Sequence, residues 1–201
     1  MKTASSKSSG KTSTRTSSTA TKKSGPHNNS SQNGHGAAGN EELMKLFEHG
    51  LKDMYWVEKA LTKAIPKMIR KATSKDLKSA LEEHLRATER QVTKLERVFH
   101  AIDKTARAKK CVGMDGILRE GEELMGEFEK PILDSAIIVA AQKVEHYEMS
   151  SYISLISLAE VMDLVKEADV LQEILNEEME ADKLLTTLAI STVHQRAMEE
   201  V

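Results

Sequence analysis

The chain has 201 residues, of which 30% are charged and only 3% are aromatic, and its formal net charge is -2. Its single cysteine, Cys111, excludes an intramolecular disulfide, and no apolar run reaches the ~18 residues of a membrane-spanning helix. The N-terminus also lacks the apolar stretch of a secretory signal, so we expect a soluble cytoplasmic protein without membrane contact.

Residues 1–40 differ in composition from the rest of the chain and form a predicted disordered tail. They are rich in Ser, Thr, Gly and Asn and contain almost no apolar side chain that a fold could bury. Their charged residues are all basic: Lys2, Lys7, Lys11, Arg15, Lys22 and Lys23. The whole chain has 29 basic and 31 acidic residues, so residues 41–201 contain 23 basic and all 31 acidic ones and carry a net negative charge. Dispersed charges of this kind predict only weak, salt-sensitive, nonspecific contact with DNA.

Residues 41–201 follow the 3.6-residue period of amphipathic helices and form the predicted folded domain. Asn40 is a favourable N-cap for the first helix, Thr73 or Ser74 for the second, and Pro131 suits a first helical turn. Pro66 is expected to kink the first helix or to loosen its end. In chain order, the predicted helices cover about 40–71, 75–102, 114–127, 131–161 and 165–195. With no strand pattern, this predicts an all-α fold, an antiparallel four-helix bundle with one short extra helix in its middle connection.

Acidic residues interrupt the apolar faces of three of these helices at five positions. They are Glu58, Glu145, Glu148, Glu178 and Asp182. Because an unpaired buried carboxylate is costly, several that point into one core predict a compensating cation. The alternative is that each carboxylate reaches water or pairs with a neighbouring lysine such as Lys59, Lys143 or Lys183.

The depth of these residues along the helices favours the cation. Glu145 with Glu148, and Glu178 with Asp182, lie about 17 residues on either side of the turn near Asp163, which corresponds to roughly 25 Å. Antiparallel neighbours would therefore bring all four carboxylates to one level. The same measure applied to Glu58 and the turn near Thr73 gives a level near residue 88 on the second helix. His84 lies on the inner face there and Glu89 at its edge, and either is a candidate ligand.

Carboxylates with one or two imidazoles suit iron or manganese, whereas the absence of cysteine ligands disfavours zinc. A ligand three or four residues from a second one lets a single helix serve two ions, which predicts a dimetal site. Without metal, the carboxylates would repel one another, so at least one should have a raised pKa.

Several segments also resemble a known family. They are MYWVEKALTKAIPKM, LEEHLRATERQVTKLERVF, KKCVGMDGILREG, AQKVEHYEMSSYISL and LQEILNEEMEADKLL, within residues 43–195. They look like the YciE/YciF-like bacterial stress-response proteins, which have a ferritin-like fold with a distant likeness to rubrerythrin. That likeness implies one Glu from the first helix, a Glu-x-x-His from the second, a Glu-x-x-Glu from the third and two ligands one turn apart from the fourth.

This resemblance implies metal-ligand roles for most of the residues that the helical period singles out. Glu58 matches the first helix, Glu145 and Glu148 the third, and Glu178 with Asp182 the fourth. The second helix departs from the pattern, because Arg86-Ala-Thr-Glu89 stands where Glu-x-x-His would be expected. Glu89 or His84 must then serve, and one metal is expected to be held weakly.

The expected function is metal binding at a di-iron or manganese site, and the resemblance implies a stress-response protein. Oxidation of Fe(II) or reduction of peroxide is the chemistry that such a site would offer, and metal binding is favoured over catalysis. Two alternatives stay open: a homodimeric structural or interaction protein without catalysis, and a DNA-protecting protein that uses its basic tail. Ferritin-like bundles often assemble, which makes a homodimer the expected state in each case. Of the three tyrosines, Tyr152 lies one turn from Glu148 and is a candidate redox partner.

Overall fold

The computed structural model describes residues 33–199, with side chains from residue 39 onward, and helices are the only regular secondary structure within this range. The helices are α1 (Asn33–Lys71), α2 (Lys75–Ala101), α3 (Val112–Glu127), α4 (Leu133–Val161), α5 (Val165–Leu188) and α6 (His194–Glu199), with a π-helical segment at Ala189–Val193. The all-α prediction is thereby confirmed. Among the helices described, none is long and apolar enough to cross a membrane.

The predicted helix ends agree with the structure to within about two residues, except at the start of α1 and at the end of the last helix. α1 begins at Asn33, so Asn40 lies inside the helix and is not its cap. α4 begins at Leu133, which leaves Pro131 in the preceding turn, and the chain stays helical from Val165 to Glu199, with the π-helical segment at Ala189–Val193 inside the range predicted as one helix. Pro66 lies inside α1 and does not end it, because the helix continues to Lys71. The predicted disordered tail falls outside the described residues as far as residue 32.

The turn between α1 and α2 is held by Asp134 at the start of α4. Its buried carboxylate accepts hydrogen bonds from the backbone N–H and the hydroxyl of Thr73 and from the backbone N–H of Ser74, each at 2.7 Å. Ser74 caps α2 by accepting a hydrogen bond from the Leu77 N–H at 3.3 Å. These contacts fix the N-terminal end of α4 against the α1–α2 hairpin. They thereby set the positions of the three helices relative to one another along their axes.

Replacing Asp134 with alanine is expected to lower the free energy of unfolding by about 3 kcal/mol, since charge-assisted hydrogen bonds to the backbone N–H groups of Thr73 and Ser74 are lost. Urea unfolding followed by circular dichroism measures this. Asp76→Ala is the matched control, because Asp76 is exposed in the first turn of α2. An equal loss in both variants would contradict the role given to Asp134.

The long helices pack in two hairpins, α1 with α2 and α4 with α5, and the hairpins meet through α1–α4 and α2–α5 contacts. The connection between α4 and α5 is three residues long, with Asp163 at a positive φ of 60°. The α3 helix covers α4 and is capped by the buried thiol of Cys111, which lies 2.9 Å from the Tyr147 hydroxyl. The core lies between the four long helices, where the large fully buried side chains include Phe47, Leu51, Phe99, Ile137 and Leu171.

Candidate metal centre

Each of the four long helices contributes an ionisable side chain to one cluster between them. Glu58 comes from α1, His84 from α2, Glu145 and Glu148 from α4, and Glu178 from α5. Because residues three or four apart share a helix face, the period that buries the neighbouring leucines also buries these groups. The carboxylates are at most 2% exposed. They form a buried acidic cluster, with His84 at its edge.

Four of these side chains converge on one point. His84, Glu145, Glu148 and Glu178 each offer one potential ligand atom, and these four atoms all lie within 4.8 Å of one another. His84 Nε2 lies 3.2 Å from Glu145 Oε1 and 3.9 Å from a Glu178 oxygen. The imidazole nevertheless makes no hydrogen bond through Nε2 with any described residue, because the angles are unsuitable. Ligand atoms that face a common point fit the coordination of an ion; with a proton in place of the ion, Glu145 and Glu178, like Glu58 and Glu148, are close enough to form a hydrogen-bonded carboxyl pair.

Hydrogen bonds fix the cluster from outside and leave its inner atoms unpartnered. The Tyr152 hydroxyl donates to Glu58 Oε1, and the Gln91 amide donates to Glu178 Oε1 at 2.5 Å. Five carboxylate oxygens of the cluster are buried without a hydrogen-bond partner in the described part of the chain. They are the Oε2 atoms of Glu58, Glu145 and Glu178 and both oxygens of Glu148. A buried oxygen without a partner is destabilising, so these five atoms require protons or a cation.

Burial dominates the ionisation of the cluster. It raises the pKa of Glu58, Glu145 and Glu148 well above the usual carboxyl value, and the neighbouring carboxylates raise each further. Burial likewise raises the pKa of Glu178 to about 7, with the Gln91 hydrogen bond acting in the opposite direction. It lowers the pKa of His84 to about 4, which keeps the imidazole neutral near pH 7 and free to act as a ligand.

The structure separates the residues singled out in the sequence into those it brings together and those it does not. Glu145, Glu148, Glu178 and His84 form the four-atom group, and Glu58 lies beside it, close enough for its carboxylate to raise the pKa values of Glu145 and Glu148. Glu89 is exposed and is not part of the four-atom group, so this arrangement gives no support to its prediction as a ligand. Glu89 lies five residues after His84, which is about 140° around the helix, so the two side chains cannot face the core together.

Asp182 lies at the rim of the cluster rather than inside it. Its side chain is 22% exposed, 3.4 Å from His146 Nε2, and it accepts a hydrogen bond from the Gln142 amide at 3.3 Å. Its position is one turn from Glu178, and aspartate is one methylene shorter than glutamate, so its carboxylate stops short of the four-atom group. It still acts on the cluster, since its charge helps to raise the pKa of Glu145.

Sequence reasoning missed the role of Gln91. This residue is fully buried and donates to both Glu178 and Glu177, and Glu177 is also held by Lys94 at 2.8 Å. Gln91 therefore orients a carboxylate of the cluster from α2. The signal was present, because Gln91 is a polar residue seven positions after His84 on the same helix face.

A cavity of about 210 Å³ lies beside the cluster, in the groove between α2 and α5. Its inner wall includes His84 and Glu145, and small side chains leave it open at Ala80, Ala87 and Ala181. His84 is thus the group through which the buried cluster meets the outside.

Comparison with known proteins connects this arrangement to a family. Residues 42–198 match the family described as a domain of unknown function, DUF892. Protein YciF of Escherichia coli (strain K12) is 40% identical over 154 residues, which cover 76% of this chain and 93% of that protein. All the cluster residues lie inside the stretch that matches the family.

Solved structures support the same relation. The structure of YcfI from Rhodopseudomonas palustris, provisionally described as a structural protein, matches with a TM-score of 0.72 and 40% identity over 74% of this chain and 95% of that one. The crystal structure of the E. coli stress protein YciF also gives a TM-score of 0.72, with 38% identity over 76% of this chain and 98% of that one. The resemblance found in the sequence motifs is confirmed: the chain belongs to the DUF892 family, whose relatives here include the E. coli stress protein YciF.

Proposed function

We propose that this protein binds metal ions in a ferritin-like bundle, formed by α1, α2, α4 and α5 with α3 as the extra helix in the middle connection. The observation that carries the proposal is the set of unpartnered atoms in the buried acidic cluster. Five carboxylate oxygens and the Nε2 atom of His84 are buried without a hydrogen-bond donor or acceptor among residues 39–199. Bound cations would supply the missing partners.

The charge of the cluster favours two divalent ions rather than one. Glu58, Glu145, Glu148 and Glu178 carry four negative charges when ionised, and the neutral imidazole of His84 adds none. Two divalent cations neutralise this charge, whereas one leaves two buried negative charges uncompensated. His84, Glu145, Glu148 and Glu178 would hold the first ion, and Glu58 would contribute to a second, more weakly held ion.

The donor set indicates which metals fit. Four carboxylates and one imidazole suit iron or manganese, and no described cysteine lies in the cluster. Iron would supply one-electron redox chemistry, which is the basis for oxidation of Fe(II) or reduction of peroxide as the proposed activity. The chain's own residues exclude water, keep His84 neutral and hold Glu58 and Glu178 through the Tyr152 hydroxyl and the Gln91 amide.

Anaerobic titration with Fe(II) or Mn(II) tests the proposal. We expect two ions per chain and a higher melting temperature with metal, since ligand at 100 times its dissociation constant adds about 2.7 kcal/mol to the folded state. Glu89→Gln is the control and should retain full stoichiometry, because Glu89 is exposed. A protein that takes up no metal and melts at an unchanged temperature would refute the proposal.

That negative result would favour the second candidate, a structural or interaction protein without a metal-dependent activity. It is the role provisionally given to YcfI, the relative from R. palustris. A homodimer, and weak contact of the basic tail with DNA, are additional proposals that are independent of the metal centre. Most of the tail lies outside the described residues, so its lysines and arginine carry the DNA proposal through their charge alone.

A further inference from the structure

We propose that metal ions reach the buried acidic cluster through the groove between α2 and α5, past His84. This inference rests on the proposed function and adds the route of access to it. The groove contains the cavity of about 210 Å³, and two groups of the cluster, His84 and Glu145, form part of its wall. Glu145 is 98% buried and its Oε2 atom, like Nε2 of His84, has no hydrogen-bond partner among the described residues.

Small side chains on both helices keep this groove open. Ala80 and Ala87 lie four residues before and three residues after His84 on α2, and Ala181 lies three residues after Glu178 on α5. Residues at these spacings share a helix face with the ligand. A larger side chain at any of the three positions would fill the space in front of His84 and Glu145.

The charges at the mouth of the groove favour a cation. Glu83 and Glu180 line the cavity, are exposed and form no ion pair within residues 39–199, whereas Glu177 is paired with Lys94. Arg90 is the single cation among the lining residues, so the mouth retains a negative charge in front of the acidic cluster. A cleft lined by one sign of charge raises the local concentration and the association rate of ions of the opposite sign.

Four other cavities in the described part of the chain, of about 110 to 370 Å³, have no residue of the buried acidic cluster in their walls. The one of about 110 Å³ lies between α1, α3 and α4. Ala64 lies in its wall, as Ala181 does in the first cavity. The two alanines therefore offer a matched pair for substitution.

The test is the rate of anaerobic Co²⁺ loading, followed by its visible absorption after rapid mixing, together with the rate of release to a chelator. Ala181→Leu is expected to slow both rates by about tenfold, because entry then requires displacement of a side chain, and to leave the dissociation constant almost unchanged. Ala64→Leu is expected to behave as wild type. The double variant Glu83→Gln/Glu180→Gln should load several-fold more slowly and with a weaker dependence on salt.

The outcomes separate this inference from the proposed function. Wild-type protein that binds no Co²⁺ would refute both. Normal binding by wild type with unchanged loading in Ala181→Leu and in the double variant would overturn the route alone. Faster release from Ala181→Leu, with a larger dissociation constant, would indicate that the substitution damages the cluster. The double variant, which changes only exposed side chains, would then decide the question, and unchanged loading in it would overturn the route.

Discussion

Replacing Glu148 with glutamine is expected to stabilise the metal-free protein and to remove tight metal binding in the same variant. Both oxygens of Glu148 are buried without a hydrogen-bond partner in the described residues, and burial raises its pKa well above the usual carboxyl value. Ionising this group near neutral pH is therefore costly in the absence of metal. The amide has nearly the same shape, carries no charge and offers N–H donors to the neighbouring carboxylates of Glu58 and Glu145.

We expect the free energy of unfolding of Glu148→Gln to rise by about 1–4 kcal/mol in urea with a chelator present, by analogy with the range for replacing buried ion pairs with apolar residues of similar volume. Metal affinity should fall by at least about 100-fold, because changes to groups that merely orient ligands already cost 10–100-fold. Isothermal titration under anaerobic conditions measures the second effect.

Glu89→Gln again serves as the control and should change stability by no more than about 0.5 kcal/mol, as exposed substitutions usually do. A Glu148→Gln variant that is less stable than wild type without metal, and that binds metal equally well, would show that Glu148 has a structural role instead. The opposite signs of the two expected effects distinguish a ligand from a core residue, since damage to the core would lower both quantities.

The helical period was sufficient to predict most of the cluster. Glu58, Glu145, Glu148 and Glu178 stand at positions where a leucine would be expected, and the level of each follows from its distance to a turn. These predictions succeeded because a helix has a fixed rise and rotation per residue, so that face and height are both determined by sequence number.

The choice among candidates on α2 could not be made in the same way. His84 and Glu89 are both capable ligands, and the expected level near residue 88 lies between them. The helical period locates the inner face of α2 only to within about one residue, which is a rotation of 100° about the helix axis. A rotation of that size separates a core position from an exposed one. Asp182 shows a second limit, since the period gives its direction correctly but not how far its shorter side chain reaches.

The start of α1 was missed for a reason of a different kind. Gly34, Gly36 and Gly39 precede the predicted start, and each glycine in a helix interior costs about 1 kcal/mol relative to alanine. Propensity therefore argued for a start at Asn40, whereas the helix extends to Asn33. The hydrogen bonds of Gln91 and Tyr152 could not be predicted for another reason. The helical period places both residues on the inner faces of their helices, but their partners, Glu178 and Glu58, lie on other helices and depend on how the helices pack.

The stability of the metal-free protein is expected to decrease as the pH rises through neutrality, whereas the affinity for metal increases. A carboxyl whose pKa is raised by folding binds its proton more tightly in the folded state than in the unfolded one. Its contribution to stability is complete below the unfolded value of 4.5 and is lost as the pH rises through the folded value, which is about 7 for Glu178 and well above 4.5 for Glu58, Glu145 and Glu148.

His84 acts in the opposite direction at lower pH. Burial lowers its pKa from 6.5 to about 4, so its contribution is complete above 6.5 and is lost as the pH falls toward 4. Within the cluster, the carboxyls alone still change protonation above 6.5, and each proton that they retain in the folded state should lower the free energy of unfolding by about 1.4 kcal/mol per pH unit. Chemical unfolding with a chelator at several pH values between about 6 and 8.5 measures this slope.

Metal binding requires the same protons to leave, so the increase in melting temperature caused by Mn(II) should be larger at about pH 8 than at about pH 6. Glu148→Gln removes one of the titrating groups and should reduce the metal-free slope by about one proton. A wild-type stability without metal that rises between these pH values would mean that the carboxylates are ionised and paired in the folded state. The cluster would then need no cation, and the unpartnered oxygens would lose their meaning as evidence for a metal centre. A falling slope that disappears when metal is added would link the acidic cluster, its protons and its ions in one equilibrium.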